Sequence, residues 1–265
     1  MRIGGFQKAS LIDYPGKICA IVFTQGCNFR CPYCHNPELV YPELFIESIH
    51  GKEVLPFLEM RKGLIDGVVI TGGEPLLQPD VEDFIKEVKE MGYAVKLDTN
   101  GSNPQRLEEL LSMNLLDCIA MDYKAPIEKY SSIVCTEVDI DHIRKTLALI
   151  AQCGILYEVR TTLFRGLTTN DVLRMMKELN TYGVENYYLQ MGEDRRQGSE
   201  VRGQKDFTHS FSGDMPLLFE GLRKNFKQYG FRNLNEKFFT ELESDSKGQD
   251  ADNRREDKYP EQTRI

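Results

Sequence analysis

Three cysteines within one short run are the side chains whose spacing could do chemistry. Cys27, Cys31 and Cys34 lie in the segment QGCNFRCPYCHNP and form a C-x3-C-x2-C pattern. Chance rarely produces this spacing in a chain of 265 residues with only seven cysteines, which indicates a joint role. Closely spaced thiolates are typical ligands of zinc ions and iron–sulfur clusters, and the run therefore predicts a metal centre.

Two kinds of metal centre are compatible with three thiolates. A structural zinc ion normally takes four protein ligands, and His35 could supply the fourth. Cys34 and His35 are adjacent, however, which makes chelation of one tetrahedral ion awkward, and no second C-x2-C pair follows. A [4Fe–4S] cluster held by three cysteines leaves one iron open for a ligand that is not protein, as in catalytic metal sites. The spacing favours the cluster and keeps zinc as the alternative.

The other four cysteines occur singly. Cys19, Cys118 and Cys153 lie near apolar residues, which predicts small buried side chains, and Cys135 receives no role. The odd count of seven argues against a framework of disulfide bonds.

A glycine-rich motif follows one of the apolar runs of the chain. Gly72, Gly73 and Glu74 come directly after the run GVVIT and precede Pro75. Two glycines allow a backbone to approach a ligand closely, because no Cβ atom stands in the way. The Glu74 carboxylate would suit an ammonium group, and a tight turn capped by Pro75 is the alternative interpretation.

Charged residues lie at the end of two further apolar runs and within a third. The segment Asp98–Gly101 (DTNG) could be an ordinary turn, because Asn-Gly is a strong turn dipeptide. Asp122 and Lys124 could form a simple surface ion pair. Arg160 lies in a segment fit for burial and needs a carboxylate partner such as Asp122 or Glu158. Together these groups offer a carboxylate for an amine and cations for a carboxylate, which predicts a site for an amino-acid moiety beside the open iron.

Six short apolar runs are predicted to form the strands that carry these motifs. They are Ala20–Thr24, Gly67–Thr71, Ala94–Thr99, Cys118–Asp122, Tyr157–Thr162 and Asn186–Met191. The segments between them with helical periodicity are Val81–Met91, Gln105–Met113, Ile140–Ala151 and Asn170–Leu179, the last with Asn170 as its expected N-cap. Apolar strands that alternate with helices predict an α/β fold, a partial (β/α)6 TIM-like barrel. The carboxyl ends of its strands form one edge, where the cysteine run and the polar motifs are expected to meet.

Composition limits the class of protein. The chain has 33 Lys and Arg against 41 Asp and Glu, a net charge of −8, which argues against nucleic acid as a partner. No run approaches the roughly 18–20 apolar residues that span a bilayer. The start, MRIGGFQKAS, lacks the apolar core of a secretory signal, so we expect a cytoplasmic protein without a membrane partner.

The end of the chain changes character. Residues 241–265 hold eight acidic and five basic side chains and few apolar ones, which predicts a disordered acidic tail. The core domain is predicted over residues 1–240, with a C-terminal helical extension over Met215–Tyr229 and a polar surface loop over residues 192–211.

Several motifs together resemble a known superfamily. The C-x3-C-x2-C run with Tyr33 before its last cysteine, followed by GGE, resembles the radical S-adenosylmethionine (SAM) superfamily. Within it, QGCNFRCPYCHNP, DTNG and MDYK resemble the activating enzymes of glycyl-radical enzymes. The opening GFQKASLIDYPGKICAIVFTQGC is most similar to the long form of the activating proteins of anaerobic ribonucleoside-triphosphate reductase. The resemblance covers about residues 1–192.

The resemblance implies roles for individual residues. Cys27, Cys31 and Cys34 would ligate the cluster, and Tyr33 would lie by the adenine of SAM through its backbone. The other residues implied to contact SAM are Gly72, Gly73 and Glu74 at the amino group, Lys124 and Arg160 at the carboxylate or the substrate backbone, and Gln190 and Met191 behind the adenine. The residues implied to surround a monovalent cation near SAM are Asp98, Thr99, Met121 and Asp122.

The function implied by the resemblance is that of a radical SAM oxidoreductase with one [4Fe–4S] cluster. It would cleave SAM reductively and generate a glycyl radical on a partner enzyme, anaerobic ribonucleotide reductase. A low-potential donor such as flavodoxin or ferredoxin would supply the electron. Two alternatives stay open: a radical SAM enzyme that acts on a small molecule, as in deazapurine synthesis, and a non-enzymatic metal-binding module.

Overall fold

A single eight-stranded sheet forms the centre of the computed structural model, which describes residues 1–49, 51–192 and 211–232. The strands lie side by side in chain order. The first pair is antiparallel, and all later neighbours are parallel. The strands are β1 (Ile3–Ser10), β2 (Cys19–Thr24), β3 (Gly67–Gly72), β4 (Ala94–Thr99), β5 (Cys118–Asp122), β6 (Leu156–Leu163), β7 (Asn186–Met191) and β8 (Gln228–Arg232).

Helices connect the parallel strands and cover the sheet. In the described ranges they are α1 (Gly51–Met60), α2 (Val81–Glu90), α3 (Pro104–Ser112), α4 (Tyr130–Val134), α5 (Ile140–Gln152), α6 (Thr169–Thr181) and α7 (Met215–Asn225). Each of the four helices predicted between the strands is present, as α2, α3, α5 and α6. Their apolar stripes pack on the sheet, as Phe84, Ile85 and Val88 of α2 do.

The six predicted strands are all present, as β2 to β7, and each agrees with its prediction to within one residue at either end. These strands have few polar positions because both faces are covered. In β2, Ala20 and Val22 belong to the large core under the helices, whereas Cys19 and Ile21 belong to a second, smaller cluster. The predicted α/β fold, a partial barrel of parallel strands, is confirmed.

The sheet has one more strand at each end than the apolar runs predict. β1 precedes the first predicted strand and pairs with β2 in the antiparallel direction. Three consecutive residues of β1, Gln7, Lys8 and Ala9, are exposed, so the strand lacks the continuous apolar run by which its neighbours are recognised. Such a polar surface is typical of an edge strand.

The predicted helix over Met215–Tyr229 is wrong in its last turn. Helix α7 ends at Asn225, and Phe226 is already extended, with φ −130° and ψ 147°. The chain then turns into β8, because the backbone amide of Gln228 donates to the carbonyl of Glu185 and strand pairing with β7 begins there. Phe231 becomes buried in the core through this pairing.

The predicted N-cap of α6 is wrong as well. The helix begins after Thr168, not at Asn170. The Thr168 hydroxyl accepts from the backbone amide of Asp171, and the Asp171 carboxylate accepts from the amide of Thr168, which is a complete capping box. Asn170 is exposed and lies inside the first turn.

The single cysteines largely follow their predicted burial. Cys19 and Cys118 are buried, Cys153 is half-buried, and Cys135 is exposed. Of the helices in the described ranges, none has the length and apolarity that crossing a bilayer requires. The predicted tail over residues 241–265 and most of the predicted loop over residues 192–211 lie outside the described residues.

Candidate functional site

The predicted site residues lie along one edge of the sheet. Glu74 lies two residues after the end of β3, and the cysteine run follows β2. Thr99, Asp122 and Met191 are the last residues of β4, β5 and β7. Because β2 to β7 are parallel, these ends share one edge, and the structure brings the motifs together there.

The cysteine run is a loop that is closed by hydrogen bonds to its own backbone carbonyls. The guanidinium of Arg30 donates to the carbonyl of Cys27 at 2.6 Å and to that of Phe29 at 2.8 Å. The amide of Cys34 donates to the carbonyl of Cys31 at 3.1 Å, which closes a turn between these two cysteines. Cys31 is buried, and Cys27 and Cys34 are half-buried.

The thiols of this loop are desolvated. Burial raises the pKa of the Cys27 thiol to about 12 and also raises the pKa of the Cys31 thiol, although Lys124 acts in the opposite direction on both. Binding of a metal would release these protons. Within the described residues, no three His, Cys, Asp or Glu side chains are already arranged as a metal site, so the three cysteine ligands remain a prediction.

Two glycines at the end of β3, Gly72 and Gly73, allow close contact with β2 and the loop that follows it. Gly72 has φ +114°, and a Cβ there would lie 2.4 Å from the amide nitrogen of Thr24. A Cβ on Gly73 would lie 2.1 Å from the carbonyl oxygen of Gly26, just before the first cysteine of the run. The Glu74 amide donates to that same carbonyl at 2.8 Å. A side chain at Gly72 would therefore displace the end of β2, and one at Gly73 would displace the start of the cysteine loop.

Glu74 is completely buried and is held by donors of its own chain. Its carboxylate accepts from the amide of Asn100 at 2.6 Å, the hydroxyl of Thr99 at 2.8 Å and the amide of Leu76 at 3.1 Å. Burial raises the pKa of this carboxyl to about 7. Glu74 thus ties the turn after β3 to the turn after β4, and its contact with a SAM amino group remains a prediction.

Arg160 joins the carboxylates of three strands. It forms ion pairs with Asp122 at 2.9 Å, Asp98 at 3.3 Å and Glu158 at 3.6 Å, and both carboxylate partners expected from the sequence are among them. Lys124 pairs with Asp122 at 3.0 Å. Burial by itself would raise the pKa of the Asp122 carboxyl, but Arg160 and Lys124 hold this pKa well below its usual range. Asp122 therefore stays ionised between two cations.

Sequence reasoning missed two members of this ion-pair network, Lys96 and Arg232. Lys96 is 2% exposed and pairs with Asp98 at 2.8 Å, while Arg232 of β8 makes two bonds to Glu158, at 2.5 and 2.9 Å. A signal was present for Lys96. Lys96 and Asp98, like Glu158 and Arg160, are spaced two apart and so share one face of a strand that is otherwise apolar.

The residues implied to lie by the adenine come from two parts of the chain. The ring of Tyr33 stacks on that of Phe164 just after β6, with centroids 4.0 Å apart, so the cysteine loop contacts the end of that strand. The Gln190 amide donates to the Thr162 hydroxyl at 2.7 Å, and Met191 is buried. Sequence reasoning missed Phe164.

The residues that the resemblance implies for a monovalent cation also form ion pairs or hydrogen bonds with other residues of the chain. Asp98 and Asp122 both pair with Arg160, and the Thr99 hydroxyl donates to Glu74. A cation at this place would share these carboxylates with Arg160, and it remains a prediction.

Residues 21–179 match the family model for the radical SAM superfamily. Enzymes of this superfamily use a [4Fe–4S] cluster and SAM, so a cluster and not zinc is the metal centre of the chain. The donor set fits these groups, because three thiols lie on one loop. The ion-pair network beside it joins four cations to three carboxylates, which leaves positive charge for the carboxylate of a ligand; its members are Lys96, Lys124, Arg160, Arg232, Asp98, Asp122 and Glu158.

Similar proteins agree with this match. A predicted glycyl-radical enzyme activating enzyme of Methanocaldococcus jannaschii is 34% identical over 195 residues, which are 70% of this chain and 79% of that protein. The pyruvate formate-lyase-activating enzyme of Clostridium pasteurianum is 37% identical over 133 residues, 46% of this chain and 52% of that enzyme. The crystal structure of Streptococcus suis SuiB bound to SAM has the same fold, with a TM-score of 0.62 and 14% identity over 84% of this chain and 52% of SuiB. The chain therefore belongs to the radical SAM superfamily and, within it, to the glycyl-radical enzyme activating enzymes.

Proposed function

We propose that this chain generates a glycyl radical on an anaerobic ribonucleoside-triphosphate reductase. The observation that carries the proposal is the meeting of a three-thiol loop and a buried cation network at one edge of an open parallel barrel. The choice of reductase rests on the opening segment GFQKASLIDYPGKICAIVFTQGC, which resembles the activating proteins of that enzyme.

The roles of the chain are to bind, to orient and to exclude water. We assign Cys27, Cys31 and Cys34 as the cluster ligands. The chemistry that the cluster supplies when bound is one-electron cleavage of SAM to methionine and a 5′-deoxyadenosyl radical, which takes a hydrogen atom from a glycine of the partner. Arg160 and Lys124 supply positive charge for the SAM carboxylate, and Asp122 holds both cations in place.

The Gly72-Gly73 turn supports the same assignment. Because neither glycine has a side chain, the backbone carbonyls and amides of this turn lie close to the cysteine loop. The amino group of SAM would need hydrogen-bond acceptors at this place. The stacked pair Tyr33 and Phe164 joins the cysteine loop to the end of β6 and offers aromatic surface suited to an adenine.

The test is an anaerobic assay with protein reconstituted with iron and sulfide. Dithionite, SAM and a purified anaerobic ribonucleotide reductase should yield 5′-deoxyadenosine and a glycyl-radical doublet in the EPR spectrum. Iron analysis should give about four irons per chain. Cleavage of SAM without a radical on the reductase, or a radical only on pyruvate formate-lyase, would contradict the choice of partner.

A pair of cysteine variants provides the control. Cys31→Ala should abolish both signals, because a ligand of the cluster is lost. Cys135→Ala removes an exposed thiol outside the loop and should leave both signals unchanged. Retained SAM cleavage in Cys31→Ala would contradict the cluster assignment.

The electron donor and the location are parts of the same proposal. We propose flavodoxin or ferredoxin as the physiological donor, and a cytoplasmic location, because a reducing compartment would keep the cysteine thiols available as cluster ligands.

A further inference from the structure

Asn100 lies against the first cysteine of the cluster loop, although the sequence indicated only a turn residue there. Its side-chain nitrogen Nδ2 is 3.8 Å from the Sγ atom of Cys27 and 2.9 Å from Oδ1 of Asn28. Asn100 is 5% exposed, so few water molecules reach this amide. The two residues are 73 positions apart in the chain, and only the fold brings them together.

The hydrogen bonds of the turn determine which end of the Asn100 amide faces the sulfur. The backbone amide of Ser102 donates to Oδ1 of Asn100 at 2.9 Å. Because a backbone N–H can only donate, the end of the side chain at Ser102 must be the oxygen, and the end at Cys27 is the nitrogen. The side chain of Asn28 agrees, since its own Nδ2 donates to the Ser102 hydroxyl at 2.9 Å and leaves its oxygen for Asn100.

The backbone of Asn100 is held from both sides. Its amide donates to the buried Glu74 carboxylate at 2.6 Å. The next carbonyl, that of Gly101, accepts from the Thr146 hydroxyl at 2.7 Å. Gly101 has φ +79°, and a Cβ there would lie 2.3 Å from Cε of Met121. The donor is therefore presented to Cys27 by a turn with little freedom to move.

Cys27 receives a second donor, the backbone amide of Phe29, at 3.4 Å. A neutral thiol is a weak acceptor, but a thiolate bound to iron carries more negative charge and attracts N–H groups more strongly. Hydrogen bonds to the sulfurs of an iron–sulfur cluster are among the factors that set its reduction potential. Since the reduced cluster is the more negative state, a donor at the sulfur stabilises it preferentially.

We propose that Asn100 is a positioning residue that donates an N–H···S hydrogen bond to the Cys27 thiolate and raises the reduction potential of the cluster. The proposal rests on the assignment of Cys27 as a cluster ligand under the proposed function. It makes the turn after β4 part of the electron-transfer machinery, in addition to its contact with Glu74.

The test is a potentiometric EPR titration of reconstituted protein without SAM. Asn100→Leu keeps the approximate size and removes the donor. We expect unchanged iron content and, at a fixed potential, about threefold less reduced cluster, which is roughly 30 mV at 59 mV per tenfold change. Asn100→Asp keeps the acceptor for Ser102, places negative charge near the sulfur and should lower the reduced fraction further.

Ser102→Ala is the matched control, because it removes the hydroxyl but keeps the backbone donor to Asn100; its potential should equal that of the unchanged protein. Unchanged potentials in both Asn100 variants would overturn the inference. So would folded variants that bind no iron, since Asn100 would then build the site and not tune it. If the unchanged protein itself forms no [4Fe–4S] cluster, the proposed function fails first, which separates the two failures.

Discussion

Glu74 shows how one side chain can link several loops of the site. It lies between the cysteine loop, which its backbone contacts at Gly26, and the turn after β4, which its carboxylate contacts at Thr99 and Asn100. This arrangement buries a carboxyl group. Burial destabilises its charged form and raises its pKa to about 7. The stability of the loop arrangement should therefore depend on the protonation of this residue.

A pH series tests this dependence. Because the pKa of Glu74 is raised above its unfolded value of 4.5, the native state keeps a proton that the unfolded state releases. The contribution is fully present below pH 4.5 and is lost as the pH rises through about 7. In urea unfolding of the metal-free protein, the free energy of unfolding should fall over this range by on the order of 2–3 kcal/mol more than in Glu74→Gln.

The variant itself separates Glu74 from other groups. Glu74→Gln should be less stable at every pH, because its amide leaves one of the three donors unpaired, but its profile should be flatter. The carboxyls of Asp98, Asp122 and Glu158 have lowered pKa values, so they act below this range. Parallel profiles for the two proteins would contradict a raised pKa at Glu74.

At the scale of elements, the start of α6 depends on a few polar side chains. Thr168 and Asp171 cap the helix reciprocally, and Lys129 also pairs with Asp171 at 2.7 Å, which ties the segment before α4 to α6. The helix connects β6 to β7 and packs on α7. Its first turn thus joins α6 to the segment before α4.

Loss of the N-cap of α6 should lower the free energy of unfolding measurably, although it leaves the hydrophobic core unchanged. Thr168→Ala should lower the free energy of unfolding by about 1 kcal/mol, because the amide of Asp171 loses its acceptor. Asn170→Ala, two positions later and exposed, should change stability by less than about 0.5 kcal/mol. Denaturant unfolding of both variants checks this, and an equal loss in Asn170→Ala would favour the cap that the sequence predicts.

At the scale of the whole molecule, β8, the last strand of the described residues, is held to the interior of the barrel by ion pairs. Arg232 makes two bonds to Glu158, and its guanidinium lies 4.4 Å from the ring centroid of Tyr188. Glu158 in turn contacts Arg160 and Lys96. The edge strand β8 is thereby connected to the same network that includes the proposed SAM contacts.

Removal of this link should loosen β8 first. Arg232→Met leaves Glu158 with Arg160 at 3.6 Å and Lys96 at 3.9 Å, so the loss should be about 1–2 kcal/mol, less than for a buried charge left unpaired. Hydrogen exchange should become faster at the amides of β8 before other strands. Lys227→Met breaks an exposed pair with Glu185 and should have little effect. Equal protection of β8 in both variants would contradict this view of the edge.

Local chemistry explains why much of the architecture could be predicted. The three cysteines lie within eight residues, and six strands appear as apolar runs because both of their faces are buried. Such signals depend on near neighbours in the chain. They determined the α/β class, the partial barrel and the edge on which the motifs meet.

Only the tertiary structure decided what depends on distant neighbours. β1 and β8 are strands because an adjacent strand offers pairing, not because their own residues demand it. Arg232, which donates to Glu158, and Asn100, which donates to Cys27, are each more than 70 positions away from the residue they contact. A hydrogen bond depends on positions within a few tenths of an ångström, and spacing along a chain carries no such information. The sequence by itself determined the cysteine loop, the glycine turn and most of the charged groups of the site. The packing of the sheet edge determined which of them touch, and it added Lys96, Arg232 and Phe164.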